Sequence, residues 1–134
     1  MHTGSCLCGT LRYEIRGDFG PGYYCHCTRC RKASGSAFAS NAAVAADDFV
    51  ITAGKESLKT FVADTGLHRS FCGSPVISRR EGMPQVRLRL GTLDTPLGAG
   101  HGPQAHIYVG SKAAWWEIRD DLPQYAEAPP RPAK

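Results

Sequence analysis

An all-β single domain is the fold that this sequence predicts, and three observations predict it. Short apolar runs alternate at the period of a strand, Gly, Pro, Asp or Asn closes each run, and the Ala-rich stretch Ser36 to Asp48 carries no sustained apolar stripe at helical spacing. The 134 residues fall within the size of one domain, and 42% hydrophobic content suffices for one core. No internal repeat or linker divides the chain, so residues 1–125 are expected to form a single β domain.

In chain order, Leu11, Tyr13 and Ile15 alternate with Thr10, Arg12 and Glu14, the pattern of a half-buried strand that GDFGPG at Gly17 to Gly22 then breaks. Ser36 to Asp48 reads as strand and loop. Strand-like runs follow at Phe49 to Thr52, Leu58 to Val62, Val76 to Ser78 and His106 to Val109. Between the last two, Val86, Leu88 and Leu90 alternate with Arg87 and Arg89, which read as the solvated face of a strand. Residues 126–134, AEAPPRPAK, hold three prolines and no large apolar group, so a disordered tail is expected there.

Sixteen Lys+Arg against 12 Asp+Glu give a formal charge of +4, a mild bias toward anionic partners. The basic residues are scattered, as in Arg79-Arg80 followed by Glu81, so nucleic acid is not an expected partner. No apolar run approaches the roughly 18 residues that cross a bilayer, and the first residues lack a signal-peptide pattern; a cytoplasmic protein without membrane contact is expected. A reducing cytosol disfavours disulfides, which directs the six cysteines toward metal or redox chemistry.

Cys25-His26-Cys27-Thr28-Arg29-Cys30 packs three thiols into six residues. In extended backbone Cys25 and Cys27 share a face while His26 points away, and a C-x-x-C turn returns Cys30 toward Cys27. Three thiolates then reach one Zn2+ at about 2.3 Å each and leave one position free, the arrangement of catalytic rather than structural zinc. Cys6-Leu7-Cys8 is a second C-x-C, and Cys72 is the remaining cysteine with which it forms a plausible structural zinc site. Reversible disulfides within Cys25 to Cys30 would be the redox alternative.

GSCLCGTLRYEI at Gly4 to Ile15, CHCTRCRKASGSAF at Cys25 to Phe38, FCGSPV at Phe71 to Val76 and HIYVGSKAAWWEIRDDLPQY at His106 to Tyr125 together resemble the glutathione-dependent formaldehyde-activating enzyme family. That family includes centromere protein V and shares the Mss4-like fold. The resemblance implies a tent-like arrangement of short antiparallel sheets around zinc sites. It implies a catalytic zinc on Cys25, Cys27 and Cys30, and pairing of Cys6 and Cys8 with a later C-x-x-C. Here that later element is incomplete, because Phe71-Cys72 runs straight into Gly73-Ser74-Pro75. Either Arg69 stands where the first cysteine would be, or the turn has lost three residues, the reading that HRSFC favours; water, His68 or another histidine would then complete the tetrahedron.

The activity implied is that of a carbon-sulfur lyase interconverting glutathione plus formaldehyde with S-(hydroxymethyl)glutathione, acting on glutathione or small thiol-aldehyde adducts. A non-enzymatic zinc-binding module of the same fold is the rival reading. Arg29, Arg31 and Lys32 around Cys30 are candidates to attract carboxylates or offset thiolate charge, or else a solvated turn. Ser34, Gly35 and Ser36 suit close backbone approach or loop capping, and of Trp115 and Trp116, read as strand neighbours on opposite faces, at least one is expected in the core. The oligomeric state is left open.

Overall fold

The computed structural model describes residues 1–98 and 101–130. Among these the chain forms β1 (His2–Ser5), β2 (Arg12–Ile15), β3 (Gly22–Cys25), α1 (Thr28–Ser34), β4 (Ala39–Ala45), β5 (Phe49–Ala53), β6 (Lys59–Val62), β7 (Leu67–Phe71), β8 (Pro75–Arg80), β9 (Gln85–Arg89) and β10 (Ala105–Ile107). Two open sheets result, one of three strands in the order β1-β2-β5 and one of seven in the order β10-β3-β4-β9-β8-β7-β6. This is the expected all-β Mss4-like architecture with one short helix. One pairing departs from an antiparallel arrangement: β10 runs parallel to β3. A parallel neighbour needs a long connection, and more than half of the chain, residues 26–104, separates these two strands.

The core lies between the sheets. Leu11, Tyr13 and Ile15 meet Val44, Val76, Ile77, Val86 and Leu88, all fully or nearly fully buried. Alternation in β2 and β9 thus does what the sequence pattern demands, with one face dry. The opposite face of β9 corrects an expectation, because Arg87 is exposed but Arg89 is only 8% exposed. That face lines a cleft, and Arg89 is covered within it.

β4 is central in its sheet and buried along most of its length, which explains why an Ala run without alternation is a strand. β1, β3 and β7 carry no clean alternation either. HTGS of β1 is held by pairing with β2 and by the Thr3 carbonyl, which accepts from the Asp94 and Thr95 amides at 2.8 and 3.1 Å. α1 begins at Cys27, whose sulfur accepts from the Cys30 amide, and ends at Gly35, whose left-handed φ of 64° lets its amide bond the Arg31 carbonyl.

A buried polar chain ties the C-terminal segment to the first strands of this sheet. The Asp120 carboxylate accepts from His106 Nε2 at 2.9 Å, and His106 Nδ1 and His26 Nε2 share a hydrogen bond of 2.8 Å. His26 and His106 are 0% and 1% exposed, and burial pushes the His26 imidazole down to about 4, keeping it neutral. Backbone bonds continue the attachment past Tyr125: the Tyr108 amide donates to the Glu127 carbonyl at 2.9 Å and the Gly110 amide to the Ala126 carbonyl at 3.1 Å. The tail expected from residue 126 therefore begins as bound chain, and residues 131–134 lie outside the described residues.

Leu88→Ala is predicted to cost about 2–5 kcal/mol in chemical denaturation, and exposed Phe61→Ala less than about 0.5 kcal/mol. His106→Ala strands His26 and Asp120 and is predicted to cost about 1–3 kcal/mol. Hydrogen exchange should accelerate first at the Tyr108, Gly110 and Tyr125 amides; unchanged exchange there would show that the histidine chain is not what holds the segment.

Candidate metal centre

Strand register decides which side chains share the cleft. Cross-strand partners project to the same face, and in this sheet Cys25 stands opposite Ala39, Tyr23 opposite Asn41, Asn41 opposite Arg89, Arg87 opposite Ser78, and Ser78 opposite Arg69. One face of β3, β4, β9, β8 and β7 therefore carries cysteine, asparagine, serine and arginine, while the other carries the apolar core. The cleft over this face measures about 770 Å³. A more open depression of about 890 Å³ beside Trp115 and Trp116 contains no cysteine.

The end of β3 and the start of α1 place three sulfurs at the base of the cleft. Cys25 closes β3, Cys27 caps the helix and Cys30 lies in its first turn, with the three ligand atoms within 4.8 Å of one another. Cys25 and Cys30 are buried, Cys27 is half-buried, and all three are free thiols. Cys27 is held well below the ordinary thiol range, chiefly by hydrogen bonds accepted from the Cys25 and Cys30 thiols. Cys25, which donates to Cys27 and Cys30 and is buried, is pushed far up. Negative charge on the free group thus gathers on Cys27.

Positive charge reaches this group from strands distant in sequence. Arg69 Nη2 lies 3.9 Å from Cys30 Sγ, and Arg69 Nη1 is buried with no acceptor among the described residues. Arg89 donates to Ser78 Oγ at 3.2 Å, and burial, the largest influence on its guanidinium, pushes it down. Arg79, Arg80 and Arg87 stand exposed along the same cleft. Six of the sixteen basic residues scattered in sequence thus line this cleft, with Glu127 the one acidic side chain among the cleft-lining residues described.

The arginines nearest Cys30 in sequence do something different. Arg29 forks onto Asp64 with bonds of 2.9 and 3.0 Å, Arg31 bonds Thr28 and Lys32 is exposed. Ser34 Oγ donates to the Cys30 carbonyl at 2.8 Å, so the capping role is the one observed. Trp115 and Trp116 lie in a turn rather than a strand; Trp116 packs on His26 and Phe38, and Trp115 is 72% exposed.

Cys6, Cys8 and Cys72 form a second group, also within 4.8 Å of one another. Cys8 and Cys72 sulfurs are 3.5 Å apart, and Cys6 Sγ donates to the Cys72 carbonyl at 2.8 Å. Phe71 pairs with Pro75, so Cys72, Gly73 and Ser74 alone turn the chain, with Gly73 at a φ of 95°. This agrees with a shortened turn. Arg69 is no stand-in for a cysteine of this group, since its side chain lies at Cys30, and His68 pairs with Val62 and Arg79 outside both groups. The Cys8 thiol is lowered to about 6, first by the Thr10 backbone amide and then by the other two thiols, and Cys72, which donates to Cys8, is raised to about 11.

Sequence reasoning therefore found both cysteine groups and missed Arg69, Arg89, Asn41 and the His26-His106-Asp120 chain. Alternation around Arg89 carried a signal of a shared face, but nothing local said that this face is covered as well.

Comparison with known proteins agrees with this geometry. No curated protein matches the chain. A crystal structure of a Rhodobacter sphaeroides protein, solved as a structural-genomics target, superposes with a TM-score of 0.59 at 22% identity, covering 71% of this chain and 90% of that one, a similarity of fold. Residues 1–111 match the sequence profile of the family described as glutathione-dependent formaldehyde-activating enzyme. With that match spanning both cysteine groups and the arginine-lined strands, the chain belongs to the glutathione-dependent formaldehyde-activating enzyme family.

Proposed function

We propose that the protein is a zinc-dependent carbon-sulfur lyase that joins a thiol, glutathione or a smaller one, to formaldehyde and reverses the same reaction. The observation that carries this reading is the convergence of Cys25, Cys27 and Cys30 beneath a cleft rich in arginine. Family membership supports the thiol and the aldehyde.

The donor set fits zinc. Three soft sulfurs suit Zn2+, and tetrahedral bonds of about 2.3 Å place sulfurs about 3.8 Å apart, compatible with a group gathered within 4.8 Å. When bound, zinc supplies Lewis acidity and favours the thiolate form of a thiol beside it. Cys6, Cys8 and Cys72 are the proposed holders of a second, structural ion, with Cys8 already lowered toward the thiolate.

The chain's own residues would do the rest. Exposed Arg79, Arg80 and Arg87 draw an anionic thiol into the cleft, and the walls from β3 to β9 limit the poses its sulfur can take. Arg69 and Arg89 place positive charge beside Cys30 and Cys25, where three thiolates would otherwise repel a fourth. In the reaction the thiol sulfur forms a bond to the aldehyde carbon, the C=O π pair moves onto oxygen, and oxygen takes the proton that sulfur gives up. Six free cysteines suit a reducing, cytoplasmic setting.

The purified protein is predicted to accelerate adduct formation from glutathione and formaldehyde, followed by proton exchange in NMR spectra. Cys27→Ser should lower that rate at least about 100-fold, since even outer-shell changes at metal sites cost up to this much. A wild-type protein that accelerates neither formation nor cleavage with any thiol-aldehyde pair would replace this reading with that of a non-enzymatic zinc module.

A further inference from the structure

One of the cleft arginines differs from the rest. Arg79, Arg80 and Arg87 are exposed at the mouth, where water satisfies their donors, and Arg80 also bonds the Thr65 carbonyl at 2.9 Å. Arg69 reaches inward, with Nη2 at 3.9 Å from Cys30 Sγ and Nη1 buried without an acceptor among the described residues. Behind it Arg89, 8% exposed, is held by Ser78 Oγ and the Arg87 carbonyl, and no carboxylate pairs with either guanidinium among the described residues. Asn41, 6% exposed and opposite Arg89 in register, has a buried Oδ1 that is also unpartnered.

An unpaired buried donor costs about 1–3 kcal/mol, and more on a charged group, so a guanidinium kept in that state calls for a partner. The partner must be anionic and planar enough to meet the fork. It must also lie close to the cysteine centre, because Nη1 and Nη2 share one carbon and Nη2 already lies beside Cys30. The two carboxylates of glutathione are several bonds from its sulfur and match the mouth arginines better.

We propose that Arg69, with Arg89 behind it, is a carboxylate subsite inside the cysteine centre, so that the preferred substrates are short thiol acids whose carboxylate lies two or three carbons from the sulfur. The inference rests on the reading that a thiol sulfur comes to Cys25, Cys27 and Cys30, and it adds the part of the thiol that is recognised. Arg69 binds and orients the carboxylate, while Arg89, held by Ser78 Oγ and the Arg87 carbonyl, adds positive charge next to it.

The test is calorimetric titration of the zinc-loaded protein with 3-mercaptopropionate and with 3-mercapto-1-propanol, which match in length and differ in charge. The acid is expected to bind at least about tenfold more tightly, the value of one charged hydrogen bond. High salt should leave much of that preference, because half-buried Arg69, with its Nη1 buried, is screened less than the mouth arginines. Arg69→Gln should bring the two thiols close to parity. Equal affinities in the wild-type protein, a preference abolished by salt, or one that survives Arg69→Gln would overturn the proposal. If both thiols bind equally, the thiol centre stands and only the carboxylate subsite falls; if neither binds, both readings fall.

Discussion

Three thiols brought to one point at the end of a strand are the constraint on which the rest of this structure turns. Cys25 ends β3, Cys27 must adopt the extended conformation of a helix cap, and Cys30 must lie in the first turn of α1. His26 between them is forced to the opposite side, where an imidazole can survive burial only with a partner. His106 on the parallel neighbour β10 is that partner, and Asp120 fixes its tautomer. The C-terminal segment is thereby tied to the cysteine motif through a residue that never faces the cleft.

Charge follows from the same convergence. Thiols that take up a metal lose their protons together, and the cluster that results is anionic in a partly buried place. A buried arginine is itself expensive, since desolvation disfavours its charge. Placed together, each lowers the cost of the other: Cys30 and Cys25 support the Arg89 guanidinium that burial disfavours. Arginine suits this role better than lysine because its fork can hold Ser78 and a neighbouring carbonyl while its charge is delocalised. The arrangement arises from sheet register alone, which sets Asn41 opposite Arg89 and Ser78 opposite Arg69.

What could be read in advance divides along the same line. The spacing of Cys25, Cys27 and Cys30 is local, and backbone geometry within six residues suffices to see them converge. Strands β2, β5, β8 and β9 carried their own alternation or β-branched runs. Arg89 carried the pattern of a solvated face, and only the position of β9 in the middle of the seven-stranded sheet, under the cleft, buries it. His106 and Asp120 are 14 residues apart and His26 is 80 residues from His106, so no local rule connects them. Ala-rich β4 lacks alternation because both its faces are covered, and α1 is too short for a helical period to show. At Cys72 the missing cysteine was visible as a gap in a motif, while the three-residue turn that brings Cys72 to Cys8 required the pairing of β7 with β8.

The most direct measurement is the zinc content per chain of the protein as purified, set beside that of Cys27→Ser with its fold checked by circular dichroism. The folded variant should have lost one equivalent of zinc, the ion proposed to sit on Cys25, Cys27 and Cys30. A wild-type protein without zinc, or a folded Cys27→Ser that retains all of it, would contradict the account.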